Sequence, residues 1–348
     1  MTQQRFKWTV VGAGPAGIAA VGKLIDHNIS PTDILWLDPH FKVGDLGHLW
    51  SNVSSNTKVQ LFLKFLNAVR AFDYQNAPVD FALNHLPCEQ TCMLTHIAEP
   101  LQWITNQLKK RVNSEQISIT NATLAKRFWT LQSPTTCHQT DNVILATGAT
   151  PSTLDYSNIP VLSFEDAIDK DRLQTKIHLS GTYGVVGSSH SAIMIIKNLV
   201  ELGVKQIINF YRSPCSYALE INNGILFDNT GLKGQTAVWA REHIDGQWPD
   251  NLLRYTNTES NLMKHLPQCD KLIYAVGFQP RNTIALGDYV HSKYNPHTGI
   301  IGPGLFGLGI AYPEIKADLG GSMDAQIGLW KFMTYLTKIM PLWLRYHP

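Results

Sequence analysis

The sequence of 348 residues predicts an α/β protein with two Rossmann-like βαβ units, each suited to a dinucleotide. Two observations support this prediction. An apolar run over residues 6–11 (FKWTVV) leads into GAGPAG at residues 12–17, and a second apolar run from Tyr183 leads into GSSHSA at residues 187–192. Each glycine pattern is followed by helical periodicity and then by another apolar strand, which is the order of a βαβ unit.

The first glycine pattern has the form G-x-G-x-x-G, in the context that dinucleotide binding requires. Gly12 permits the tight turn, Gly14 lets the backbone approach a pyrophosphate, and Gly17 lets the helix pack close to the strand. The following helix offers free N–H groups and a positive dipole to the phosphates. The predicted cofactor-binding residues of this turn are Gly12, Gly14, Pro15, Ala16 and Gly17.

Asp38 is a further candidate at this first site. It follows the predicted strand over residues 34–37 and lies 21 residues beyond Gly17, where an acidic side chain binds a ribose hydroxyl. The alternative is that Asp38 is a turn residue before Pro39.

The segment between the two glycine patterns predicts a helix, a β-meander and a strand. Apolar residues recur at helical spacing over residues 94–112, and short alternating runs fill residues 117–137. The apolar strand over residues 142–146 then ends in Thr147 and Gly148.

The second glycine pattern is the degenerate form G-x-S-x-x-A. Ser189 replaces the second glycine and can still donate to a phosphate, while Ala192 keeps the close contact between helix and strand. A helix over residues 193–202, capped by Gly203, completes the unit. The predicted cofactor-binding residues here are Gly187, Ser188, Ser189, His190, Ser191 and Arg212.

Arg212 and His190 define the expected character of the second site. Arg212 follows the strand QIINFY, where an arginine suits a ribose 2′-phosphate, so the sequence favours NADPH, with NADH still possible. The alternative is that Arg212 is a solvated surface residue. His190 lies in the first helical turn, which predicts an orienting or packing residue rather than a catalytic one.

The C-terminal third adds further strands and a final helix. The strand over residues 271–275 ends in Val276 and Gly277, and the Gly-rich segment 302–311 predicts a strand and a turn. The polar loop 224–234 could line the site or be a surface connection. The segment 327–344 predicts a helix that ends before Pro341 and docks on the body; the alternative is that Trp330, Trp343 and Tyr346 touch a membrane surface.

Composition excludes several classes of protein. Charged residues make up 16% of the chain and the net charge is +2, which argues against a nucleic-acid binder. The five cysteines include no C-x-x-C, and the C-x3-C pair Cys88 and Cys92 is read as two ordinary thiols or, alternatively, a redox pair. No run of about 20 apolar residues occurs, so we expect no stable membrane insertion and a cytoplasmic protein without a bound metal.

Two glycine patterns followed by strands that end in ATG and AVG form a distinctive order, and the chain resembles the two-dinucleotide-binding-domain flavoproteins. The resemblance implies a discontinuous FAD-binding domain over residues 1–155 and 279–348, which contains the β-meander. It implies an NAD(P)H-binding domain over residues 156–278, inserted in the first. It also adds four expected cofactor contacts, namely Thr147, Gly148, Gly277 and Gly309.

The segment 47–58 resembles the flavin-containing and N-hydroxylating monooxygenases of this superfamily. Those proteins carry Gly-Gly-x-Trp and then Val-x-x-Asn-Thr near the flavin ring, which Trp50, Asn56 and Thr57 match, while His48 replaces the second glycine. The disulfide reductases of the superfamily fit less well. No cysteine pair lies at the expected places, and Ala311 stands near where those proteins have an acid.

The resemblance implies oxygenation of a nitrogen or sulfur nucleophile in a small molecule, with O2 and NAD(P)H consumed, through a C4a-(hydro)peroxyflavin. Trp50 and Asn56 are the catalytic candidates, as a wall of the flavin and as a hydrogen-bonding group near C4a. Two other functions stay open: an NAD(P)H-dependent flavin reductase or dehydrogenase, and an FAD-binding redox sensor or scaffold without catalysis. The substrate and the oligomeric state are not encoded in any motif of the sequence.

Overall fold

The computed structural model describes residues 4–156, 158–222, 224–289, 293–319 and 321–346. The chain divides into two compact units. The first consists of residues 1–149, 280–316 and 324–348, and the second of residues 150–279 and 317–323. The second unit therefore interrupts the first along the chain.

The bounds of the units differ from those expected from the sequence. The first break falls six residues earlier, at 149/150, and the second falls one residue later, at 279/280. Residues 317–323, expected in the first domain, cluster with the second unit instead. Leu319 of this stretch packs beside Gly224 of the second unit, since a Cβ placed on Gly224 would lie 3.3 Å from Leu319 Cδ1.

Within the described ranges, twenty strands and ten α-helices are numbered in chain order. The strands are β1 (Arg5–Val11), β2 (Ile34–Leu37), β3 (Ser54–Lys58), β4 (Thr91–Met93), β5 (Asn113–Glu115), β6 (Asn121–Ala125), β7 (Phe128–Gln132), β8 (Cys137–Leu145), β9 (Ala149–Pro151), β10 (Thr182–Val186), β11 (Gln206–Tyr211), β12 (Leu219–Ile221), β13 (Gly224–Leu226), β14 (Leu252–Thr256), β15 (Lys271–Tyr274), β16 (Phe278–Pro280), β17 (Ile300–Gly302), β18 (Leu305–Gly307), β19 (Ile315–Ala317) and β20 (Met323–Ala325). The helices are α1 (Pro15–Asp26), α2 (Gly44–His48), α3 (Val59–Asn67), α4 (Thr95–Lys109), α5 (Phe164–Ile168), α6 (Lys170–Lys176), α7 (His190–Leu202), α8 (Gly234–His243), α9 (Glu259–His265) and α10 (Leu329–Trp343).

The first unit is built on an eight-stranded sheet. Its order is β17-β18-β8-β1-β2-β5, and β6 and β7 extend from β8 as the predicted antiparallel meander. The centre is parallel, with Val10 opposite both Trp36 on β2 and Ile144 on β8. Because parallel strands end at one edge, the residues that follow β1, β2 and β8 are brought together there.

Side chains from alternate strand positions fill two cores on the two faces of this sheet. One core joins Trp8, Trp36 and Ile144 to helices α1, α3, α4 and α10, and the other joins Leu35 and Leu145 to the meander. Burying this much apolar surface on both faces supplies the main stabilisation of the unit, at roughly 25 cal/mol per Å².

Helix α10 corrects the prediction for the C-terminal segment. It does not end before Pro341 but continues to Trp343, because Trp343 is fully buried, stacks 4.8 Å from Phe306 and donates from Nε1 to Thr298 O at 2.7 Å. These contacts offset the backbone hydrogen bond that proline cannot make. Trp343 is therefore docked on the body and is not available to a membrane surface. In the part of the chain that the structure describes, no helix is long and apolar enough to span a bilayer.

The second unit contains a four-stranded parallel sheet in the order β14-β11-β10-β15. Helix α7 connects β10 to β11 and ends at Gly203 in the left-handed conformation, as predicted. The interior of the sheet is apolar, with Val185, Ile208 and Ile273 fully buried. The remaining short strands form two-stranded pairs: β3 with β4, β9 with β16, β12 with β13, and β19 with β20.

Candidate functional site

The first glycine turn lies between β1 and α1 and leaves no space for side chains at two of its positions. Gly12 has φ +111°, and a Cβ there would lie 2.2 Å from Ala146 O at the end of β8. A Cβ on Gly17 would lie 2.0 Å from Gly12 O. Gly14 is the N-cap of α1 and supplies no side-chain cap. No side chain in the described ranges caps this helix, so an external acceptor such as a phosphate could bind its first N–H groups.

Asp38 joins this turn to the end of β2. Its carboxylate is 7% exposed and accepts from the N–H groups of Ala13 at 2.7 Å, His40 at 2.7 Å and Phe41 at 2.6 Å. Charge-assisted bonds of this kind hold the two loops in register. Asp38 therefore stabilises the turn that follows β2, as the alternative interpretation of this residue predicted. Its contact with a ribose hydroxyl stays a prediction.

Asp45 and Arg281 form an ion pair at the same edge of the sheet. Gly44 has φ +57°, and a Cβ there would lie 2.8 Å from Gly14 Cα, so α2 begins directly against the glycine turn. Asp45 accepts from Arg281 Nη2 at 2.8 Å, and Arg281 also donates to Ala149 O at 3.3 Å. No sequence motif indicated this pair, whose members are 236 residues apart.

The residues after β8 and β18 complete the surroundings of the first turn. The Thr147 hydroxyl is buried and has no hydrogen-bond partner within the described ranges. Gly309 has φ +87°, and a Cβ there would lie 2.8 Å from Ala16 Cβ, so the C-terminal segment passes beside the start of α1. Glycine turns that exclude side chains, together with an unsatisfied buried hydroxyl, fit a dinucleotide that is bound through backbone contacts and supplies the missing partner.

Trp50, Asn56 and Thr57 lie in the segment that follows α2. Trp50 is partly buried and its backbone N–H donates to Asp45 O at 3.1 Å. Asn56 is exposed on β3, and its Oδ1 accepts from the Thr57 hydroxyl at 3.3 Å. The catalytic roles of Trp50 and Asn56 stay predictions.

The second glycine turn repeats the geometry of the first. Gly187 has φ +133°, and a Cβ there would lie 2.3 Å from Ala275 O at the end of β15. Ser189 is the N-cap of α7 and makes no side-chain capping bond, so the first N–H groups of this helix are also left to an external acceptor. Gly277, after the same strand, has φ +100° and accepts through its carbonyl from Ser152 N at 2.9 Å.

His190 is the first residue of α7. Its Nδ1 is buried and has no partner among the described residues, while Nε2 lies 3.4 Å from the Thr236 hydroxyl. Burial, aided by the charge of Lys233, lowers the pKa of His190 to about 4. The ring is therefore neutral at neutral pH, which agrees with an orienting rather than an acid-base role.

Asn209 and Arg254, which no sequence motif indicated, form a hydrogen-bonded pair that supports the second glycine turn. Asn209 is fully buried on β11 and donates from Nδ2 to the carbonyls of Val185 at 2.9 Å and Gly187 at 2.8 Å. Arg254 on β14 donates from Nε to Asn209 Oδ1 at 3.0 Å and lies 4.5 Å over the Tyr211 ring. The asparagine inside the apolar strand QIINFY could have indicated this pair, since a buried amide needs hydrogen-bond partners.

Other residues singled out from the sequence lie outside these arrangements. Arg212 is exposed just after β11, and Cys88 and Cys92 are free thiols, one exposed and one partly buried. The 224–234 segment forms part of a hairpin and the start of α8, with Lys233 paired to Asp228.

Comparison with known proteins finds a related monooxygenase in sequence and solved proteins of the same fold. Monooxygenase AgnR1 of Paecilomyces divaricatus is 31% identical over 98% of each chain. An ornithine N-hydroxylase from Kutzneria sp. 744, solved with reduced FAD, NADP+ and L-ornithine, matches with a TM-score of 0.70 at 13% identity, over 98% of this chain and 99% of that one. A bacillithiol disulfide reductase from Staphylococcus aureus matches with a TM-score of 0.62 at 11% identity, over 99% of each chain. No family model matches the sequence.

Proposed function

The chain belongs to the same monooxygenase family as AgnR1. We propose that it is an FAD-dependent monooxygenase that consumes NADPH and O2. Its substrate in this proposal is a small molecule with a nitrogen or sulfur nucleophile, which it oxygenates. The observation that carries the proposal is the pair of glycine turns at Gly12 and Gly187. At each glycine, an added Cβ would lie about 2.3 Å or less from a backbone carbonyl oxygen. Each turn is also followed by a helix whose N-terminus has no side-chain cap. A glycine turn of this kind in each unit fits the binding of two dinucleotides, one to each unit.

In this proposal the first unit binds FAD. The N–H groups at the start of α1 receive the pyrophosphate, and the Thr147 hydroxyl, unsatisfied among the described residues, donates to the cofactor. Asp38 accepts from a ribose hydroxyl in addition to its three backbone donors, since each carboxylate oxygen accepts more than one bond. Trp50 covers the flavin ring, and Asn56 hydrogen-bonds beside it.

The second unit binds the pyridine nucleotide. Gly187 and the start of α7 receive its pyrophosphate, and neutral His190 orients it by a hydrogen bond from the ring. Bound flavin supplies the redox chemistry, which is to accept a hydride from the nicotinamide and to activate O2. The chain's own residues bind and orient the cofactors and exclude water from the reacting atoms.

The function is tested with the purified protein. We expect it to carry flavin absorbance, to be bleached by NADPH without air, and to consume NADPH in air faster when a primary amine or a thioether is added. Protein without flavin would overturn the proposal. Flavin that NADPH reduces, with all consumed oxygen recovered as hydrogen peroxide for every amine and thioether tested, would indicate a reductase instead.

The role of Asn56 is tested against a neighbour of the same chemistry. Asn56→Ala should divert a larger share of the consumed oxygen to hydrogen peroxide, because a group beside the flavin is lost. Asn52→Ala, at another exposed position of the same segment, should leave that share unchanged. Equal behaviour of the two variants would remove Asn56 from the proposed site.

A further inference from the structure

Arg254 is a cation of the second unit whose charge is not balanced. It makes no salt bridge within the described ranges, and its Nη2 is buried there without a hydrogen-bond partner. Its Nε donates to Asn209 Oδ1 at 3.0 Å, and its side chain also makes a hydrogen bond with the Cys215 thiol. Arg254 as a whole is only partly buried, but a closed-off Nη2 without an acceptor is costly, and a bound anion would supply one.

The place of Arg254 restricts which anion this is. Its guanidinium lies 4.5 Å over the ring of Tyr211, the last residue of β11, and Arg212 comes next in the chain. The end of this strand is where a Rossmann unit binds the ribose that carries either a 2′-hydroxyl or a 2′-phosphate. The first unit has Asp38 at the corresponding strand end, whereas the second has two arginines near it.

Arg254 also lies beside the phosphate-binding turn. Cys215 Sγ is 3.7 Å from Ser188 O, and the charge of Arg254 opposes the rise in the pKa of the Cys215 thiol that burial causes. Asn209, the partner of Arg254, holds the carbonyl of Gly187. Because Nη2 is closed off from solvent, contact with a phosphate requires its neighbours, among them the Cys215 side chain, to shift.

From this geometry we propose that Arg254 is a specificity-determining residue that donates from its guanidinium to the ribose 2′-phosphate of NADPH. NADH lacks this phosphate and leaves Nη2 without that acceptor. The inference rests on the proposed function in one respect, that the second unit binds a pyridine nucleotide. It adds that discrimination between the two nucleotides depends on a side chain of β14 and not on exposed Arg212 alone.

The test is equilibrium binding to the flavin-loaded protein, measured by calorimetry with NADP+, NAD+, 2′,5′-ADP and 5′-AMP. Arg254→Met should weaken NADP+ and 2′,5′-ADP roughly 10- to 100-fold, the range expected for a hydrogen bond to a charged group. Binding of NAD+ and 5′-AMP should change less than about threefold. Arg254→Lys should recover part of the loss, since it keeps the charge without the planar fork.

Two further variants separate this role from a structural one. Arg241→Met is the matched control, because Arg241 also stacks on a tyrosine, 4.2 Å over Tyr217, but belongs to α8 rather than to β14; it should leave all four ligands unchanged. Asn209→Leu removes the support of the Gly187 carbonyl and should weaken NADP+ and NAD+ alike. Circular dichroism and melting temperature confirm that each variant is folded.

Three outcomes decide the matter. Selective loss of the 2′-phosphate ligands in Arg254→Met supports the proposal. Equal loss of NADP+ and NAD+ in that variant, as in Asn209→Leu, would overturn it and leave the proposed function standing. A wild-type protein that binds flavin but none of the four ligands would overturn both.

Discussion

The two glycine turns solve the same steric problem with different polar anchors. Gly12 and Gly187 both lie where a Cβ would meet the carbonyl oxygen of a neighbouring strand end, at 2.2 and 2.3 Å. The first turn is then held by the Asp38 carboxylate, through the Ala13 N–H, and the second by the Asn209 amide, through the Gly187 carbonyl. The steric requirement is common to both units, and the charge of the anchor is what distinguishes them. A carboxylate suits ribose hydroxyls, and an amide backed by Arg254 suits a phosphate.

The largest expected effect comes from filling either turn. Gly12→Ala and Gly187→Ala should each destabilise their own unit by about 2–4 kcal/mol, because the new Cβ meets backbone and φ is positive. Gly12→Ala should lose flavin, whereas Gly187→Ala should keep flavin and lose NADP+ binding. Flavin absorbance and calorimetry measure the two losses.

Gly203→Ala is the control for this pair. Gly203 also has positive φ, +72°, but a Cβ there would meet nothing within 4 Å. Its cost should be only about 1 kcal/mol, with both cofactors bound normally. If all three substitutions behaved alike, backbone strain and not the close approach would explain the turns.

The next effect concerns the position where the two patterns differ. Gly17→Ala should destabilise the first unit by about 2–3 kcal/mol, because its Cβ would lie 2.0 Å from Gly12 O. The equivalent Ala192 already carries a Cβ, and Ala192→Gly should cost only about 1 kcal/mol from helix propensity. Urea denaturation measures both values. A larger loss in the second unit would show that the two helix starts do not pack against their strands in the same way.

Asp38→Asn tests the anchor of the first turn. The amide oxygen keeps one acceptor but loses the charge that three N–H groups share, so stability should fall by about 1–3 kcal/mol and flavin affinity with it. Thermal melting and flavin titration measure the change. An unchanged melting temperature would mean that the carboxylate does not hold the turn.

The last difference between the two units is a pH dependence confined to the second. Because the pKa of His190 falls from 6.5 to about 4 on folding, the unfolded chain binds more protons between these values. Above pH 6.5 the His190 ring is neutral in both states and does not oppose folding. As the pH falls from 6.5 toward 4, the free energy of unfolding decreases by up to about 3 kcal/mol. His190→Gln should flatten this part of the stability profile in denaturation at several pH values, and His243→Gln, on an exposed part of α8, should not.

Local patterns predicted what local contacts determine. The turns at Gly12 and Gly187, strand β2 and the cap at Gly203 each depend on a few neighbouring residues, so the sequence showed them. Asp45 with Arg281 and Asn209 with Arg254 depend on strands that meet only in the folded chain, and no spacing encodes such meetings. The continuation of α10 past Pro341 was missed for the same reason, since the contacts of Trp343 outweigh a local preference.

The strand order of the first unit has a consequence for how the protein is made. Strand β18, which pairs with β8, and helix α10, which covers Trp8 and Phe306, come from the last 50 residues of the chain. The second unit, apart from residues 317–323, lies in one continuous stretch. During synthesis from the N-terminus we therefore expect residues 150–279 to fold while the first unit still waits for its final strand and helix. Pulse proteolysis during cell-free synthesis would show this as early protection of that stretch, and simultaneous protection of both units would contradict it.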